Sequence, residues 1–183
     1  PGKLVVKNGA KYTSWLDSSS TIESFQISKN GIVEVTGENS VIDARHGTVI
    51  AADAKLDVSD KGLFKGNLIT NNGTVTVNGG TLTANTVTNS GTFTIKGEST
   101  VNIGTLSGTY IRVEDGTLIG DSVVGGNMRT YGDFALNGTL SVKQTNMYGT
   151  STVKNGAVFT GSTTIVSAGG NFTLENGGTF TLF

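Results

Sequence analysis

The residues of this sequence best suited to chemistry are acidic, and the densest set is Asp53, Asp57 and Asp60. Two carboxylates that face each other across a sugar can act as general acid and as base or nucleophile in glycoside cleavage. Asp57 and Asp60 with backbone carbonyls could also bind Ca²⁺, but no calcium-loop pattern surrounds them. Asp is also frequent in turns. We therefore interpret these residues as solvated or turn-capping groups and predict no catalytic residue and no metal site.

The single histidine, His46, lies directly before Gly47, which begins a repeat described below. An imidazole could act in acid–base chemistry, but catalytic arrangements need partner groups at short range. We therefore interpret His46 as part of a turn between two coils. The absence of cysteine excludes disulfides and thiolate metal sites. No cofactor is predicted.

Two aromatic residues, Tyr12 and Trp15, lie near a polar stretch and are the candidate binding residues. Aromatic rings in an irregular segment can stack on a sugar. They can equally plug the end of a repeat fold, and we favour the plug.

One phrase organises the chain: a glycine, a small or polar residue, and then alternating apolar and polar residues. Its glycines are Gly2, Gly31, Gly47, Gly73, Gly91, Gly108, Gly132, Gly149 and Gly170. From Gly31 onward the spacings are 16 to 26 residues. Periods of this size indicate a repeat architecture in which each unit is stabilised by its neighbours.

Alternation with a period of two predicts strands that bury one face. The predicted inward residues are Leu4, Val6, Val33, Val35, Val49, Ala51, Val75, Val77, Phe93, Ile95, Tyr110, Phe134, Leu136, Phe172 and Leu174. A second strand in several units adds Leu82, Ala84, Val101, Ile103, Leu140, Val142, Phe180 and Leu182, and shorter apolar contributions come from Val87, Leu106 and Ile165. The outward residues are mostly Thr, which suits exposed strand positions.

Asn-Gly occurs seven times, and both residues tolerate the positive φ of sharp corners. These corners could close antiparallel hairpins or bend the coils of a solenoid. Similar phrases stack best on one another, so we predict an all-β parallel β-helix (β-solenoid) of about eight or nine coils. We expect residues 1–183 to form a single solenoid fragment of a longer protein, with an irregular first coil or loop around 11–28.

The serial run NNGTVTVNGGTLTANTVTNSGTFTIKGESTVNIGTLSGTYIRVEDGTL, residues 71–118, resembles passenger regions of bacterial autotransporters and related surface adhesins. The resemblance is weaker across the rest of the chain, and the catalytic motif of the family's proteases is absent. It implies a right-handed parallel β-helix that is exported from a bacterium and is extracellular or at the cell surface. Adhesion, self-association or display are the functions that the resemblance implies.

The expected function is therefore a non-catalytic surface module, a β-helical adhesin or stalk. Its expected partners are host or bacterial surface glycans or proteins, or copies of itself. A net charge of -1 does not favour nucleic acid, and no apolar run is long enough for membrane insertion by this fragment. The alternative is a carbohydrate-active enzyme or phage tailspike-type β-helix that acts on polysaccharide. Ice binding would require a regular lattice of outward Thr, and the Thr pairs of this sequence stop after a few units.

Overall fold

The structure, a computed structural model, describes residues 2–14, 24–113, 116–130, 134–154 and 156–183. Regular structure in these ranges consists of 17 strands that belong to one continuous sheet. The first nine are β1 (Lys3–Val6), β2 (Lys11–Thr13), β3 (Ser24–Ile27), β4 (Ile32–Thr36), β5 (Val41–Ile50), β6 (Lys55–Ser59), β7 (Leu63–Asn71), β8 (Thr74–Asn78) and β9 (Thr81–Asn89). The others are β10 (Thr92–Lys96), β11 (Ser99–Val113), β12 (Gly116–Thr130), β13 (Phe134–Met147), β14 (Thr150–Val153), β15 (Val158–Val166), β16 (Asn171–Leu174) and β17 (Thr179–Leu182).

Each coil crosses three faces, and on each face its strand pairs with the same strand of the next coil. The first face begins with β1, β4, β6, β8 and β10 and continues through the last residues of β11, β12, β13 and β15. The second begins with β2 and ends with β14 and β16, and the third begins with β3 and ends with β17. All of these strand pairings are parallel, so the predicted fold class, an all-β parallel β-solenoid, is confirmed.

Seven coils have a paired neighbour on both sides, and the coil at each end of the stack has a neighbour on one side only. The expected count of about eight or nine differs slightly from these seven fully stacked coils, because the expectation included the end coils. The first coil contributes β2 and β3 to the stack at regular register. The irregular part expected within 11–28 falls largely on residues 15–23, which lie outside the described residues.

The core is a single column of inward side chains that follows the predicted alternation over most of the chain. Fully buried members include Val35, Val77, Phe93, Ile95 and Leu82. Stacking identical positions at the ordinary strand spacing of about 4.8 Å leaves no room for water between coils. The outcome is a slim apolar core that runs the length of the stack.

Two predicted inward positions are wrong because a corner shifts the alternation by one residue. In β5 a bulge between Ala44 and Gly47 turns Thr48 and Ile50 inward, so Val49 is only partly buried. After Gly108 the corner is one residue shorter than in the preceding coil. Ile111, and not the predicted Tyr110, therefore pairs with Phe93 and is fully buried.

Three inward predictions lie in the last coil. Leu174 and Leu182 continue inward ladders, as predicted, but remain 46% and 54% exposed. No further described coil covers them. Ile165 occupies an outward position opposite Asn146 and is also exposed.

A buried asparagine pair closes the corner between the third and first faces. The Asn71 amide Nδ2 donates to Asn89 Oδ1 at 2.6 Å and to the Thr92 carbonyl at 2.9 Å. Asn71 Oδ1 accepts from the Gly73 N–H at 3.0 Å, and Asn89 Nδ2 donates to the Gly91 carbonyl at 3.2 Å. These bonds satisfy backbone groups that the corner removes from the strand ladder.

A similar amide bond lies on the surface, at the corner between the second and third faces. Asn85 Nδ2 donates to Asn67 Oδ1 at 2.7 Å, and this bond is exposed to solvent. The same kind of amide bond between successive coils is therefore found both in the core and in water.

Candidate functional site

The first face carries a row of outward side chains, one per coil, in which six successive members have acidic residues at one end and arginines at the other. The parallel register places these residues next to one another in the order Glu34, Asp57, Thr76, Thr94, Arg112 and Arg129. We call this set the charged row. Glu34 and Asp57 are separated by 23 residues in sequence and become neighbours only through the stacking of β4 on β6.

Glu34 and Asp57 form an acidic pair at one end of the charged row. Burial is the largest cause that raises the pKa of Asp57 above its usual value, and the adjacent Glu34 carboxylate raises it further. Lys55, a hydrogen bond from the Thr76 hydroxyl and Lys3 all oppose this rise. Lys3 also contacts Glu34 directly, with an Nζ–Oε1 distance of 2.7 Å. Burial, more than the neighbouring carboxylate, therefore accounts for the raised pKa of Asp57.

Two adjacent carboxylates are the groups that could share acid and base roles on a glycosidic bond. A sugar must also be held over them, which enzymes achieve with a cleft. Neither carboxylate lines the clefts of about 460, 400 and 270 Å³ that the described residues form. The acidic pair lies instead on an open face of the sheet.

The acidic set singled out from the sequence does not converge on one site. Asp57 faces outward in the middle of β6, whereas Asp53 and Asp60 lie at the corners before and after that strand, with φ values of 63° and 47°. Asp60 Oδ2 accepts a hydrogen bond from Thr36 Oγ1 at 3.0 Å. Asp53 lies 3.9 Å from Lys29 Nζ in a solvent-exposed ion pair. Asp53 and Asp60 thus occupy the turn positions that the sequence suggested.

Tyr12 occupies an inward position of β2, in register with Ile42 of the next coil. Its ring is 5.6 Å from that of Phe25, which in turn lies 6.3 Å from Phe64, measured between centroids. With 38% of its surface exposed, Tyr12 covers the core at the first coil and keeps one side in solvent. This geometry favours the plug over a sugar-stacking role for Tyr12. Trp15, the other candidate, lies outside the described residues.

His46 is exposed and lies at the bulge of β5 between the second and third faces. The interpretation of this segment as a turn between two coils is therefore wrong in detail, because the corner lies within one coil. Arg45 Nε, next to it, contacts Asp43 Oδ2 at 3.2 Å. The sharp corner after Ala44, rather than a chemical site, accounts for these polar residues.

The outward threonines stack over short distances only. Thr74 and Thr76 of β8 pair with Thr92 and Thr94 of β10. At the next coil the register places Arg112 opposite Thr94. A flat Thr lattice therefore does not extend along the first face.

Sequence reasoning missed the charged row, since its members are 17 to 23 residues apart in sequence. The usable signal was the second outward position of each strand on the first face, and locating that position in every coil requires the corner lengths. Within the described ranges, no cluster of three or more His, Cys, Asp or Glu could hold a metal ion. The same ranges contain no helix of the length and apolarity needed to cross a membrane.

No family model, curated protein or solved structure matches this chain. The class of the protein, a parallel β-solenoid, therefore rests on the register of its strands alone.

Proposed function

We propose that this chain is a non-catalytic extracellular surface module, a β-helical adhesin or stalk exported from a bacterium. The observation that supports this function is the long, regular first face with its charged row, which offers repeated contacts along the stack rather than one pocket. Weak contacts that repeat at fixed spacing gain strength through multivalency. Surface glycans, surface proteins and copies of the same chain are the partners that such a face suits.

Beads coated with the purified chain provide the test of adhesion. Coated beads should bind to a glycan array or to bacterial or host cells, or should clump with one another, and the variant Glu34→Gln/Asp57→Asn/Arg112→Gln/Arg129→Gln should do so much less. The four substitutions keep the approximate size of each side chain and remove its charge. Coated beads that stay dispersed and bind neither glycans nor cells would remove adhesion and self-association from the proposal.

The adjacency of Glu34 and Asp57 is the specific observation that favours a second candidate, a carbohydrate-active enzyme or tailspike-type β-helix. This function would require cleavage between the two carboxylates. A panel of polysaccharides incubated with the chain should release no products if the surface-module proposal holds. Reproducible release that Glu34→Gln or Asp57→Asn abolishes, and that Asp53→Asn leaves intact, would establish the enzyme instead.

A further inference from the structure

The charges of the charged row are arranged so that the row complements itself when it is reversed. Read from the first coil onward, the signs are negative at Glu34 and Asp57, neutral at the two threonines, and positive at Arg112 and Arg129. Reversal of this order exchanges every negative position with a positive one. The midpoint lies between Thr76 and Thr94.

Like charges occupy adjacent rungs at both ends of the charged row, with Glu34 beside Asp57 and Arg112 beside Arg129. Like charges directly opposite one another on neighbouring strands destabilise a sheet, and both pairs occupy adjacent rungs about 4.8 Å apart. Lys3 and Lys55 line the neighbouring row, and Lys3 Nζ contacts Glu34 Oε1 at 2.7 Å. Positive charge brought directly against Asp57, whose pKa is raised chiefly by burial, would favour the charged form of its carboxyl.

We propose that the first face binds a second copy of this chain, antiparallel to the first, with the charged rows facing each other. This inference rests on the proposed surface-module function and names the partner. An isologous contact requires a twofold axis. An axis that is parallel to the strands and lies midway between Thr76 and Thr94 places the two charged rows opposite each other and reverses the order of the coils.

The register then sets which charges meet. Asp57 is one and a half coils from the axis on one side and Arg112 is the same distance on the other, so Asp57 faces the second copy's Arg112. Glu34 and Arg129 are each two and a half coils from the axis and face each other in the same way. Symmetry doubles both contacts. The two threonine rungs meet at the centre, where small polar side chains allow close approach.

Analytical ultracentrifugation of the full chain tests the association. The chain should sediment as a dimer at low salt. Raising the salt from about 0.05 M to about 0.5 M should weaken association about tenfold or more, because exposed charges become screened. A monomer at every concentration up to about 1 mM, a range within which weak specific contacts are detectable, would overturn the proposal.

Two charge-reversal variants test the register directly. Glu34→Lys/Asp57→Lys has only positive charges at the four positions, and Arg112→Glu/Arg129→Glu has only negative ones. Each variant alone should be monomeric, and an equimolar mixture should form a heterodimer. The mixture also shows that both variants are folded.

Other outcomes of this experiment separate the partner from the broader function. A dimer that persists in either variant alone, or a mixture that fails to associate while circular dichroism shows β-structure in both, would overturn the antiparallel contact. If coated beads nevertheless bind glycans or cells, the surface-module function stands and only the second copy as partner is rejected.

Discussion

The buried Asn71 side chain should contribute far more to stability than a surface asparagine that makes the same bond. Asn71→Ala removes an acceptor from the Gly73 N–H and a donor from Asn89 Oδ1, and both of these groups are buried. A buried polar group without a partner costs about 1–3 kcal/mol. Two such groups therefore predict a loss of about 2–6 kcal/mol in the free energy of unfolding.

The matched control is Asn85→Ala, which removes an amide donor at 2.7 Å from the Asn67 side chain in an exposed position. Water replaces the lost partner there, so the expected loss is below about 1 kcal/mol. Urea unfolding followed by circular dichroism would measure both variants. Equal losses would refute the reasoning that burial, rather than the bond itself, sets the cost of losing the amide.

Three further predictions concern the core, the acidic pair and a corner. Phe93→Ala should lower the free energy of unfolding by about 3–5 kcal/mol because the ring is fully buried. Thr92→Ala, at an exposed position of the same strand, should lower it by less than about 1 kcal/mol. Equal losses in urea unfolding would show that the inward face is misassigned. The pKa of Asp57 is raised in the folded state, so its contribution to stability falls as the pH rises from about 4 through the folded-state pKa. Asp57→Asn should therefore gain stability relative to the parent chain over that pH interval. Thermal unfolding of both chains at a series of pH values measures this gain. A difference in thermal midpoint that stays constant with pH would contradict the raised pKa of Asp57. Gly91→Ala would place a Cβ inside the contact distance of the Gly73 carbonyl oxygen in the preceding coil and should lower the free energy of unfolding by about 1–3 kcal/mol. Gly2→Ala, with nothing within 4 Å, is its control, and the thermal midpoints of the two variants should differ clearly.

The alternation of apolar and polar residues predicted most of the core, since strand periodicity is a local property of the sequence. Phe93 and Ile95, for example, are inward because they alternate with Thr within one phrase. Inward assignments failed where a corner changed the phase. Val49 and Tyr110 were misassigned because the bulge after Ala44 and the shortened corner after Gly108 have no clear mark in the local pattern.

The candidate site was much less accessible to sequence reasoning than the fold. Local density of carboxylates selected Asp53 and Asp60 together with Asp57, but two of these three cap corners. The relevant neighbour of Asp57 is Glu34, one coil away. Density along the chain is a poor guide in a solenoid because side chains on successive residues point to different sides.

The sequence by itself determined the class of the protein. Phrases of similar pattern that repeat at about the length of one coil specify strands that pair with the equivalent strands of neighbouring coils. The tertiary structure alone decided which outward residues share a row. That choice depends on the exact number of residues in every corner, and a change of one residue turns a side chain from the core to the solvent. The opposed charge pairs of the first face, and the buried contact of Asn71 with Asn89, exist only because those corner lengths bring distant residues into register.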